Sequence, residues 1–79
     1  MVTLYRAQGL RIVIFVDDHE PAHVHVFGDG EMKIDLAGGD GGPELIFAVG
    51  MTRADIRRAM AVVKERQAYL LKQWSEIHG

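Results

Sequence analysis

The sequence predicts an α+β domain: an antiparallel sheet of four to five short strands packed against one long C-terminal helix. Two patterns carry that expectation. Up to Val49, short apolar runs alternate with polar residues and are separated by turns rich in glycine and proline. From Thr52 onward the apolar residues recur at helical spacing behind three start signals. With 79 residues, the chain is a single domain, 1–79, because a second would leave neither half enough residues for a core.

Val2 to Tyr5 is a short β-prone run, and Ala7-Gln8-Gly9 turns it into a stronger strand from Leu10 to Val16. That strand is apolar on both faces, with Ile12, Ile14 and Val16 on one side and Val13 and Phe15 on the other, as in a central strand covered twice. His23 to Phe27 alternates: Val24 and Val26 point one way, His23, His25 and Phe27 the other. Gly28-Asp29-Gly30 is a tight turn, after which Met32, Ile34 and Leu36 form the buried side of an amphipathic strand. The run Ala37 to Pro43 is too rich in glycine for regular structure and reads as a mobile hairpin connection into a last strand, Glu44 to Val49. It is not a phosphate-binding loop, since no Lys-Ser/Thr pair and no helix follow the glycines directly.

Thr52 is suited to cap the helix, Asp55 stands at the capping-box position, and Met51 with Ile56 forms a hydrophobic staple. Ile56, Ala59, Met60, Val63, Gln67, Leu70, Trp74 and Ile77 then fall on one stripe, and Gly79 ends it. A continuous helix from Arg53 to His78 would be roughly 39 Å long, whereas strands of this size span only about 17 to 23 Å. The second half, around Leu70, Leu71 and Trp74, is therefore expected to overhang the sheet and pack on another chain, the alternative being a helix that bends or frays near its end. Val62 and Tyr69 offer a second contact surface away from the stripe.

Composition narrows the function. The formal net charge of −2 excludes a domain that coats nucleic acid by bulk positive charge. The absence of cysteine excludes disulfides and thiolate metal sites, so a metal or a partner chain becomes the expected source of extra stability for so small a domain. The apolar run Ile12 to Val16 is too short to cross a bilayer, and a cytoplasmic protein without membrane contact is expected.

The chemistry concentrates between Asp17 and Phe27, which holds three of the four histidines. Imidazoles at i and i+2 on one strand face stand close enough to chelate one ion, with His19 or Asp18 as further ligands. The candidate metal residues are thus Asp18, His19, His23 and His25, and the donor set suits zinc, iron or manganese. The same group is also suited to acid–base work on a phosphodiester without a metal, with Arg11 and Lys33 near the histidine face. A third reading places nucleic-acid phosphates on the helix flank of Arg53, Arg57 and Lys64. The histidines would instead be core residues if they shared a face with Ile34.

Three segments resemble a family of small, mostly bacterial proteins known only as domain of unknown function 4160. They are Gly9-Leu10-Arg11-Ile12, Asp18-His19-Glu20-Pro21-Ala22-His23-Val24-His25, and Leu70-Leu71-Lys72-Gln73-Trp74. The family's central pattern is similar to D-H-x-P-P-H-F-H. Asp18, His19, Pro21, His23 and His25 match it, while Ala22 and Val24 stand where a second proline and an aromatic are usual. The resemblance implies a protein partner, since such proteins are often encoded beside a second small domain in an arrangement like a toxin–antitoxin pair. It assigns no catalytic residue. The expected function is a small interaction or regulatory module with the histidine stretch as its recognition or metal site and a protein partner or homodimer through the C-terminal helix. The alternative is a metal-dependent or histidine-based hydrolase resembling a ribonuclease.

Overall fold

Each break in the apolar alternation becomes a chain reversal in the computed structural model, which describes residues 1–79. The strands are β1 (Val2–Ala7), β2 (Leu10–Ile14), β3 (His23–Phe27), β4 (Glu31–Asp35) and β5 (Glu44–Val49). They form one antiparallel sheet in sequence order, β1-β2-β3-β4-β5. The β1–β2 hairpin turns on Gln8 and Gly9, with φ of 53° and 77°. Positive φ at both central residues matches the turn to the strands' right-handed twist. At the β3–β4 turn only glycine fits at position 30, because a Cβ there would lie 1.9 Å from the Val49 carbonyl oxygen.

The register sorts the side chains into two faces. Ile12, Val26 and Met32 pair across three strands, as do Val24 and Ile34 on β3 and β4. Together with Leu10, Ile14 and Leu36 they pack against Ala59, Val63, Leu70 and Trp74 to form the core. Val13, His25, Lys33 and Phe47 form a row on the opposite face, and Arg6, Arg11, Phe27 and Glu31 form the next. The central β2 is covered on both sides, as its sequence requires: Ile12, Val13 and Ile14 are all buried. Val16 departs from expectation. The strand stops at Ile14 and the chain turns away, with the Asp18 amide donating to the Phe15 carbonyl at 3.1 Å, so Val16 is 57% exposed.

The helical part is also divided. Instead of one long helix there are α1 (Arg53–Glu65) and α2 (Gln67–His78), separated at Arg66 by a backbone of φ −105° and ψ 16°. The start is as the sequence indicates, with the Asp55 amide donating to Thr52 Oγ1 at 3.1 Å. The Asp55 carboxylate does not reach back to close a capping box, however, and pairs with Arg58. The division coincides with a long-range tie. The Gln67 amide donates to the carbonyls of Leu36 at 2.6 Å and Gly41 at 2.8 Å, tying the start of α2 to the end of β4 and its loop. The Arg66 guanidinium lies over the Tyr5 ring, 4.7 Å from its centroid.

This bend returns α2 to the sheet. Leu70 and Trp74 are buried within their own chain, so this part of the stripe packs on its own sheet and does not overhang it. Tyr69 remains exposed, while Val62 packs against the core. The glycine-rich connection is tied as well, through Gly38 N–H to the Gly42 carbonyl at 2.7 Å and through Gly42 N–H to Asp40 Oδ1 at 2.9 Å. Replacing Gln67 with Ala leaves the Leu36 and Gly41 carbonyls without these donors. Urea denaturation is expected to show a loss of about 1 to 3 kcal/mol, and a loss within error would show that the bend does not depend on this side chain.

Candidate metal centre

His23 and His25 lie on the face away from Ile34, because Ile34 pairs directly with Val24 and strand side chains alternate. They are not members of the hydrophobic core. His23 begins β3 at one end of the sheet, where α2 crosses, and its ring centroid is 5.1 Å from that of Trp74. His25 stands mid-strand opposite Lys33, with Phe15 edge-on at 4.8 Å and Phe27 stacked at 6.4 Å.

The connection between β2 and β3 supplies the third group. Leaving the sheet after Ile14, it brings Asp18 back over the histidines. Asp18 Oδ2 is 3.0 Å from His23 Nε2 and 3.6 Å from His25 Nε2. One ligand atom from each of the three residues falls within 4.8 Å of the others. Tetrahedral donors at 2.0–2.1 Å from a zinc ion stand about 3.3 Å apart, so small side-chain adjustments suffice to place these atoms around one ion.

The far side of each imidazole fixes what the near side offers. His23 Nδ1 is 2.9 Å from the Pro21 carbonyl oxygen, which only accepts hydrogen bonds, so this nitrogen carries the proton. His25 Nδ1 is 3.2 Å from Glu31 Oε2, and the same reasoning applies. In the neutral rings both Nε2 atoms are then bare lone pairs, and both face a carboxylate oxygen. Asp18 Oδ2 is itself buried and makes no hydrogen bond; the short approach to His23 lacks hydrogen-bond geometry. Three lone-pair donors converging without a proton between them repel one another, and a cation relieves that repulsion. An imidazole whose second nitrogen donates to a carbonyl or carboxylate is also the usual arrangement of a metal-bound histidine.

Of the four residues the sequence singles out, the structure brings Asp18, His23 and His25 together and leaves His19 apart. His19 is exposed and outside the group, because it follows Asp18 in the irregular β2–β3 connection and is not held by either strand. Arg53, Arg57 and Lys64 are exposed on α1, away from the histidine face. Two participants were missed. Glu31 orients His25, and its place follows from the short Gly28–Gly30 turn, which pairs Phe27 with Glu31 and sets Glu31 diagonal to His25. Glu20 accepts from Trp74 Nε1 at 3.1 Å, joining the β2–β3 connection to α2, a contact between residues 54 apart that no local signal reveals. If Glu31 orients His25 as a metal ligand, Glu31→Ala should weaken metal binding by about 10- to 100-fold. Competition against a chelating dye measures this, and unchanged affinity would remove Glu31 from the centre.

A sheet with helices on one face and a two-histidine, one-carboxylate group on the other defines an α+β domain with a candidate metal centre. The chain belongs to the family described as Domain of unknown function (DUF4160), whose pattern matches residues 9–75. That match spans β2 through most of α2 and includes the whole Asp18–His23–His25 group. No curated protein and no solved structure matches the chain.

Proposed function

We propose that this protein is a metal-binding interaction module in which Asp18, His23 and His25 hold one divalent transition-metal ion. The observation that carries the reading is the convergence of two imidazole Nε2 atoms on a buried carboxylate oxygen that has no hydrogen bond. Zinc, iron and manganese all suit two nitrogens and one carboxylate oxygen. Three protein ligands leave positions on the ion for water or for a group from another molecule. His23 and Asp18 are mostly enclosed, their side chains 6% and 20% exposed, so an incoming group must be small or presented from a protruding side chain.

Binding of a partner is favoured over turnover because the cavity on this face of the sheet is lined by Arg6, Arg11 and Phe27 and by none of the three candidate ligands. The ion's role is to fix the β2–β3 connection on the sheet and so define a recognition surface. The partner is a second small protein, in a regulatory pair of toxin–antitoxin type; this part of the reading rests on the family resemblance.

Elemental analysis of untagged protein, purified without chelator or nickel resin, tests the proposal. About one equivalent of a transition metal, lost in His23→Ala and His25→Ala variants that still fold, is the expected result. Metal content near zero that zinc, iron(II) or manganese cannot restore would sink it. RNA cleavage by the loaded protein, abolished by the same variants, would replace the module with a hydrolase.

A further inference from the structure

Arg6 and Arg11 face each other across the β1–β2 ladder on the outer side of the sheet. Like charges directly opposite in a sheet destabilise it, yet neither arginine is paired with a carboxylate. Arg11 Nε is buried and has no acceptor. Its guanidinium stands over the Phe27 ring, 5.5 Å from the centroid. Between these groups lies a cavity of about 350 Å³ lined by Arg6, Gly9, Leu10, Arg11, Phe27 and Gly28.

We propose that this cavity binds a phosphate group, with Arg6 and Arg11 closing on it as a two-guanidinium clamp. Three independent features point to an anion there: an opposed cationic pair, an unsatisfied buried donor and a concave surface between them. Guanidinium forks bind oxyanions through paired N–H···O bonds. A phosphate has enough oxygens for two forks at once, and its negative charge removes the repulsion between the two cations. The volume falls at the lower end of that for small-ligand pockets, so the cavity holds more than the bare ion. Phe27, with the Arg11 guanidinium over its ring, lines the cavity beside the space for a sugar or base attached to the phosphate. The ligand class is therefore an organic phosphate, either a free mononucleotide or a phosphodiester within a single strand. The clamp shares no residue with the Asp18–His23–His25 group.

Calorimetric titration of the full chain with inorganic phosphate, a mononucleotide and a mixed-sequence single-stranded oligonucleotide is the test. At least one phosphate probe is expected to bind saturably and more weakly as salt rises. Arg6→Gln and Arg11→Gln should each lower its affinity by about tenfold or more. Arg6→Gln should melt no lower than the parent, because it removes the like-charge opposition and leaves the Arg11–Phe27 contact in place. Arg11→Lys restores the charge but not the fork and should recover only part of the affinity. Equal binding of mononucleotide and oligonucleotide identifies a free ligand as the source, and binding of the oligonucleotide alone identifies the polymer; either supports the clamp. Binding of none of the three probes overturns it. So does affinity that survives both glutamine variants and is lost instead on replacing Arg53, Arg57 and Lys64.

Discussion

Saturating zinc, at about one hundred times its dissociation constant, is expected to stabilise the domain by about 2.7 kcal/mol. For a chain of this length that corresponds to a rise in Tm of roughly 10 to 20 °C. The physical basis is that the folded state alone brings Asp18, His23 and His25 together. Asp18 lies before the sheet-starting residue of β3 and the histidines lie within it, so unfolding separates donors that converge only in the native structure. His25→Ala removes one donor and should abolish most of the gain.

Asp18→Asn separates the metal effect from packing. The amide is almost the same size as the carboxylate, but its N–H₂ can donate to the bare Nε2 atoms of His23 and His25. In metal-free protein this variant should be as stable as the parent or more so, by about 1 kcal/mol, while the response to zinc disappears. Opposite signs in the two conditions are the diagnostic. A variant that is equally destabilised with and without zinc would mean that Asp18 serves the fold and not an ion.

Leu70→Ala should cost about 2 to 5 kcal/mol, a large share of the stability of a domain this small. Leu70 is fully buried and joins α2 to the sheet core, so its removal opens a cavity among Val63, Trp74 and the inner strand residues. Leu71, only partly buried beside the core, should cost less. The contrast tests the bend at Arg66. Were the helical region straight and overhanging, Leu70 would lie outside the core, and its replacement would alter self-association more than the unfolding midpoint. Chemical denaturation with sedimentation velocity on the same samples distinguishes the two.

The elements that could be read from the sequence are those specified by local patterning. The β3 and β5 limits, the Thr52 cap and the burial of Met32, Ile34 and Leu36 follow from alternation, capping chemistry and turn glycines acting over a few residues. The fate of the helical region did not. Nothing between Glu65 and Gln67 resembles a break, and the separation coincides with Gln67 reaching carbonyls 31 and 26 residues earlier in the chain. The metal candidates divided on the same principle. His23 and His25 were placed by strand period, whereas separating Asp18 from His19 required the path of an irregular connection. Glu31 needed the hairpin register, which a one-residue difference in turn length would have reversed.

Trp74 gives the molecule an optical property. It is the only tryptophan in the chain, its indole N–H is held by Glu20 at 3.1 Å, and its ring lies 5.1 Å from His23 and 3.8 Å from His78, on which it stacks. An indole in van der Waals range of an imidazole emits according to that imidazole's electronic state. Any event at His23, whether an ion arriving, a proton arriving or the Asp18 connection lifting away, therefore changes intrinsic fluorescence without a label. His78 shares the same ring but lies outside the metal group, so a His78→Gln variant removes its contribution and leaves the emission reporting on His23.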